Sequence, residues 1–251
     1  MINVSFHIYI LKSYDRATFS LKEKEMNIPI LYEDNHLLIV EKPVNIPVQE
    51  DQSGDNDLLS YLKQDLKERY QKPGNVYLGL VHRLDRPVGG AIVFAKTSKA
   101  ASRMADLLRK QEIKRTYYGV VRGEVKTNEQ RLMNYLWKDR KKNEVYVVNR
   151  ENKDAKKAIL DYKVIGREKE LSLLKVHLQT GRSHQIRVQL QHMGHPLYGD
   201  QKYGSRVNKS GEQIALWAYS LGFVHPVKKE WVEVVSTPPV QFPWNAFKKE
   251  I

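Results

Sequence analysis

The chain has 251 residues and no cysteine. That excludes a disulfide framework, a thiolate zinc site and a cysteine nucleophile. It is also short of acid. Asp and Glu number 29 against 42 Lys and Arg, for a formal net charge of +13. Such an excess points to a polyanionic partner, with nucleic acid first and an anionic membrane second. No stretch approaches the roughly 18–20 apolar residues that span a bilayer. The opening MINVSFHIYILKSYDR is briefly apolar, but it lacks the basic n-region and small-residue cleavage site of a signal peptide. The expectation is a soluble, cytoplasmic protein with no membrane partner.

A phosphate-binding loop is missing too, despite a near match. GAIVFAKT (90–97) imitates G-x-x-x-x-G-K-S/T, but Ala95 replaces the second Gly. Such a loop needs backbone N–H groups folded around a phosphate. Ile92, Val93 and Phe94 are stiff strand formers instead. Lys96 is therefore expected to end a buried strand, with no nucleotide cofactor bound there. His177, His184, His192 and His195 lie close in sequence, with Asp200 beyond. Their spacing is loose for a metal site, and hydrogen bonds to loops or RNA are the expected use.

What is present reads as strands joined by hairpins, with a few helices between. ILYEDNHLLIVEKP suggests strand, turn, strand. Asp57 is placed to cap a helix with Leu59, Leu62 and Leu66 on one face. Thr97 or Ser98 is placed to cap a second, with Ala101, Met104 and Leu108 inward and Arg103, Arg109 and Lys110 toward solvent. RLMNYLW-KDRKKN-EVYVV reads as a hairpin with a basic tip. Ser183 is placed to cap HQIRVQLQHM, which Gly194 ends. On that helix Ile186, Leu190 and Met193 form one stripe, and His184, Arg187 and Gln191 form another. Strands outnumber helices, so the expected class is α+β with a mixed, largely antiparallel sheet and flanking helices.

The stretch HRLDRPVGG (82–90) places a lone acid, Asp85, between Arg83 and Arg86 in a sharp turn. Flanking arginines would favour its charged form. Gly89 and Gly90 would permit tight geometry or close approach by a ligand. Two readings stay open: a turn aspartate bonding local backbone, or an ionised nucleophile.

Four motifs share a resemblance. HRLDRPVGGAIVFAKT resembles the H-R-L-D-x-x-x-x-G signature of the RluA-type pseudouridine synthases. IKRTYYGVVRG (113–123) looks like that family's K-x-Y strand. TGRSHQIRVQLQHMGHPLYGDQKYG (180–204) is very close to its G-R-S/T-H-Q-I-R helix and following loop. IALWAYSLGFVHP (214–226) resembles its last core motif. The resemblance implies an isomerase of the pseudouridine synthase fold, converting uridine in structured RNA to pseudouridine. Ribosomal RNA is the first expectation and tRNA the second. It implies no metal, nucleotide or redox cofactor, and a monomer. The other reading is a non-catalytic RNA-binding or RNA-folding factor on the same scaffold.

Residue by residue, the resemblance makes Asp85 the catalytic aspartate, Tyr117 the tyrosine stacked on the target base, and Arg187 the partner of the carboxylate. Arg83 matches the residue that fills the gap left by the flipped base, and Leu216 lines the uracil pocket. His82, Arg182 and His184 stand within the motifs as RNA- or base-binding residues. Lys138, Arg140 and Lys141 of the basic hairpin tip would hold phosphates. Two departures stand out. The family usually has Thr-Ser-Gly or Thr-Thr-Gly shortly after its aspartate, where this chain reads Pro87-Val88-Gly89. Trp217 stands where many members have His. The expected layout is an extension over 1–28, a catalytic domain over 29–245 and a tail over 246–251. With so little chain ahead of Ile30, the S4 domain that many members carry is not expected here.

Overall fold

A computed structural model describes residues 27–251. The extension expected over 1–28 lies outside the described residues, apart from Asn27 and Ile28, and Ile28 packs on the core.

Two apolar runs set the centre of the fold. LLIV opens β2 (Leu37–Lys42), and GAIVFA fills β4 (Gly89–Ala95). A strand apolar at every position must be buried on both faces. That is the case. Leu38, Val40, Ile92 and Phe94 face one core, and Leu37, Ile39, Ala91 and Val93 face the other. GAIVFA is thus a central strand, as its stiff residues suggested, and Lys96 behind it pairs with Glu33 at 2.6 Å.

The remaining strands are β1 (Ile30–Glu33), β3 (Gly79–Leu80), β5 (Lys114–Arg122), β6 (Glu129–Asp139), β7 (Glu144–Val148), β8 (Lys156–Glu168), β9 (Leu171–Leu178), β10 (Leu216–Val224) and β11 (Trp231–Val235). They form one sheet in the order β1-β2-β4-β10-β5-β9-β8-β6-β7, with β3 on β4 and β11 on β10. All pairings are antiparallel except β4 with β10, where Trp217 stands opposite Gly89. The sheet is mixed and largely antiparallel, as expected.

Three helices flank it. In α1 (Leu58–Arg69) the Asp57 carboxylate accepts from the Ser60 N–H at 3.0 Å. Its buried stripe is Leu58, Leu62 and Leu66, so Leu58 replaces the expected Leu59, which is half-buried beside it. Each such leucine contributes about 1.5–3 kcal/mol by leaving water. In α2 (Ser98–Arg109) the Thr97 hydroxyl caps Ala100 at 3.1 Å, and Ala100 and Met104 are buried. The third helix, α3 (Gln185–His192), departs from expectation at its start. Its N-cap is His184 in the left-handed region (φ 51°), without a side-chain cap. The side-chain oxygen of Gln185 instead ties down the turn before the helix, accepting from Arg182 N–H at 3.0 Å and the Thr180 hydroxyl at 2.8 Å.

Of the last six residues, set apart above as a tail, three pack on the body and Lys248, Lys249 and Glu250 are exposed. Phe247 is buried, and Ala246 and Ile251 lie against the same cluster as Trp244. The aromatic side chains find apolar surface on the sheet, so the chain end stays with the body. Among the described residues no helix is long and apolar enough to cross a membrane.

Candidate active site

The turn that carries Asp85 leads directly into β4. The Val88 N–H donates to the Asp85 carbonyl at 2.9 Å and closes the turn. Lys42, fully buried at the end of β2, holds it from beneath. Its Nζ donates to the carbonyls of Pro43 (2.8 Å), Ile46 (2.7 Å) and Arg86 (3.0 Å). Burial pulls its pKa down to about 7, against the opposing pull of the Asp85 charge. Nothing in the local sequence of Lys42 singled it out.

The sequence neighbours of Asp85 are not its partners. Arg86 turns away to Asp55, the Ser53 hydroxyl and the Asn45 carbonyl. Arg83 is exposed on the pocket rim, without an ion pair among the described residues. The cation at Asp85 is Arg187, whose Nη1 donates to Oδ2 at 3.2 Å across 102 residues of sequence. Arg187 is only 6% exposed. Its other edge makes a fork with Asp200: Nε to Oδ2 and Nη2 to Oδ1, both 2.8 Å. Burial works against the charge of Arg187. The bonds and charges of Asp200 and Asp85 outweigh it and raise its pKa.

Asp200 is 1% exposed and also accepts from the Lys202 and Tyr203 N–H groups. The polar stripe of α3 is therefore turned inward at Arg187 and half-buried at His184, while Gln191 stays exposed. The other histidines disperse: His177 lies 3.2 Å from the Thr116 hydroxyl, and His195 lies 3.0 Å from the Arg122 carbonyl. Among the described residues no three His, Asp or Glu side chains converge as metal ligands.

A cavity of about 1030 Å³ opens above this pair. Tyr117, 6% exposed on β5, and Leu216 at the start of β10 form walls beside Asp85. Burial raises the Tyr117 hydroxyl, the charge of Arg115 opposes that, and the charge of Asp85 adds to it. His184 lines the same cavity with its Nδ1 2.7 Å from the Tyr203 hydroxyl. Burial lowers its pKa, opposed by the charge of Asp85. Tyr203, which the sequence did not single out, also lies under the Arg187 guanidinium, 5.1 Å from ring to Cζ.

His82 reaches the cavity with one edge, but its ring serves the scaffold: the Val93 N–H donates to Nε2 at 3.3 Å. Burial, helped by the charge of Arg115, brings it down to about 3. Arg182 is exposed, with Nε on the Lys157 carbonyl at 3.0 Å. Lys138 projects into the cavity from β6. Arg140 and Lys141 sit on the exposed hairpin tip outside it.

Trp217, one of the departures noted in the sequence, lies against Gly89, the glycine that follows the other. A Cβ at Gly89 would stand 2.3 Å from the Trp217 ring, and one at Gly90 (φ 110°) would stand 2.4 Å from the Ala218 carbonyl. The two glycines thus make room for β10, not for a ligand. Trp217 occupies the space a side chain at 89 would need, and its indole N–H donates to Ser236.

The family model described as RNA pseudouridylate synthase matches residues 36–192. The "Uncharacterized RNA pseudouridine synthase YhcT" of Bacillus subtilis is 34% identical over 89% of this chain and 75% of its own length. "Ribosomal large subunit pseudouridine synthase C" of Vibrio parahaemolyticus is 31% identical over 85% of this chain and 66% of its own. The solved structure of Human RNA Pseudouridylate Synthase Domain Containing 4 superposes with a TM-score of 0.70 at 21% identity. It covers 84% of this chain and 88% of that one, a likeness of fold.

Proposed function

The chain belongs to the RNA pseudouridylate synthase family, and from that membership and the pocket we infer that it isomerises uridine in ribosomal RNA through Asp85. The observation that carries this reading is the link Asp85–Arg187–Asp200 at the floor of a nucleotide-sized cavity walled by Tyr117 and Leu216. The name of the Vibrio relative supports ribosomal RNA over tRNA.

A stacked uridine cannot present C1′ and N1 to a carboxylate, so the base is flipped out at a cost of a few kcal/mol. Stacking on Tyr117 offsets part of that cost. The exposed Arg83, with no ion pair to hold it among the described residues, is free to enter the vacated stack, where its planar guanidinium suits a base. In the reaction the C1′–N1 bond breaks, the uracil turns and C5 bonds to C1′. C5 then gives up its proton and N1 gains one. The sum is an isomerisation, which needs no oxidant or group donor. Arg187 holds the Asp85 carboxylate in place while Asp200 fixes Arg187 from behind. Lys138, Arg140 and Lys141 contact phosphates with little sequence preference.

The test is tritium release from RNA labelled at C5 of uridine, with ribosomal RNA and tRNA assayed separately. Wild-type protein is expected to release label from ribosomal RNA, and Asp85→Asn is expected to release none while still binding it. Release by Asp85→Asn at the wild-type rate would remove the aspartate from the mechanism. Release from tRNA alone would overturn the substrate.

A further inference from the structure

A second buried arginine faces the same cavity. Arg115 lies on β5 two residues before Tyr117, so the two side chains share one face of the strand. It is 7% exposed. Its Nε is buried and has no hydrogen-bond partner among the described residues. Among the described residues no carboxylate pairs with it. The titratable groups about it are His82 and Tyr117, neither of them an anion at neutral pH. Space for it has nonetheless been kept. A Cβ at Gly181 would stand 2.7 Å from Arg115 Nη1, so a glycine there lets the guanidinium lie against the turn before α3.

A guanidinium does not shed its proton at any ordinary pH. Burying one without an anion is costly, and proteins seldom do so. No described residue supplies the anion, which leaves a ligand to bring it. Resting on the reading above, we propose that Arg115 is the receptor for a backbone phosphate of the RNA, the one flanking the uridine held against Tyr117. A phosphodiester supplies the charge and matches the guanidinium fork with two oxygens. A uracil carbonyl is neutral and would leave the cation uncompensated. Along a strand, two residues span about 7 Å, a step comparable to that from a base across its ribose to the phosphate. Arg115 then acts as a positioning residue. It pins the ribose-phosphate while the detached uracil turns, so that C1′ waits where C5 will arrive.

The test uses the full chain with Arg115→Met, Arg115→Lys and Gly181→Ala. First, the free protein is melted with inorganic phosphate replacing chloride at constant ionic strength. Wild type is expected to gain thermal stability with phosphate, and Arg115→Met is expected to lose that gain without losing basal stability. Gly181→Ala, which displaces the guanidinium, should lose part of it. Second, ribosomal RNA binding is titrated against salt. Arg115→Met should bind at least tenfold more weakly, about the contribution of a charged hydrogen bond, with a log–log salt slope flatter by about 0.7. Arg115→Lys should recover part of the affinity. Third, tritium release should show the loss mainly in KM. An equal phosphate response in wild type and Arg115→Met would mean surface cations alone, and would overturn the proposal. So would unchanged RNA affinity and slope in a folded Arg115→Met. If the phosphate and RNA effects appear but no RNA releases tritium, the phosphate site stands and the isomerase reading falls.

Discussion

Arg187 and Arg115 are buried to the same degree in one pocket, yet the chain treats them in opposite ways. Arg187 meets two aspartates, three hydrogen bonds in all, before any ligand arrives. Arg115 meets none among the described residues and keeps an orphaned Nε. The first arrangement fixes the geometry of a carboxylate in advance, which is what transition-state stabilisation requires. The second leaves a charge open. The same residue type, equally buried, is a finished internal part in one place and an unfilled receptor in the other. The difference lies wholly in which acids the fold brings near.

Three experiments press on this contrast. The largest effect is expected from Arg187→Ala. It strands Asp200, 1% exposed, without its cation. A loss of about 3–5 kcal/mol in urea unfolding is expected, together with a collapse of turnover. Asp200→Asn should weaken turnover as well, because Arg187 would lose its fork. Arg115→Met should do the reverse to the free protein and leave its unfolding free energy level or higher. If both substitutions destabilise alike, the contrast is broken.

The next effect is in pH. His82 is held near 3 in the folded chain by burial and by the charge of Arg115, against about 6.5 when unfolded. Its folded pKa is the lower one, so the unfolded chain binds more protons between those values. The stability it contributes is complete above about pH 6.5 and drains away as pH falls toward 3. His82→Gln should shallow that acid limb. Arg115→Met should raise the His82 pKa, followed by NMR of its ring protons. A fixed His82 titration would mean that the charge of Arg115 is already neutralised.

The smallest effect is expected at the rim. Arg140→Glu with Lys141→Glu should weaken ribosomal RNA binding and flatten its salt slope, with no change in melting, because both side chains are exposed. A slope identical to wild type would place the RNA away from the hairpin.

Much of this was legible in the chain itself. The caps at Asp57 and Thr97, the basic hairpin and the doubly buried GAIVFA strand follow from local rules, and the structure contains each of them. The pocket residues Asp85, Tyr117, Arg187 and Leu216 were found by motif, and all line one cavity. Other features were not legible. Arg86 looked like the partner of Asp85 and turns to Asp55. Lys42 carried no signal, and Tyr203 lay in the 180–204 motif without a role attached to it. Asp200 lay inside the 180–204 motif and was weighed as a metal ligand, but no role was assigned to it there, and it proved to be the anchor of Arg187. The Gly89–Trp217 contact depends on the single parallel pairing in the sheet, which local patterning does not reveal.

Periodicity, capping and turn chemistry act over a few residues, so the sequence alone determined the strands, the helices, the basic charge and the kinds of side chain available for chemistry. Which charges meet was decided by the tertiary structure. Asp85 and Arg187 are 102 residues apart, and only the strand order and the seating of α3 bring them within 3.2 Å. The same order brings no acid of the described residues to Arg115. Charge pairing inside a protein depends on distance in space, and that distance exists only once the sheet has closed.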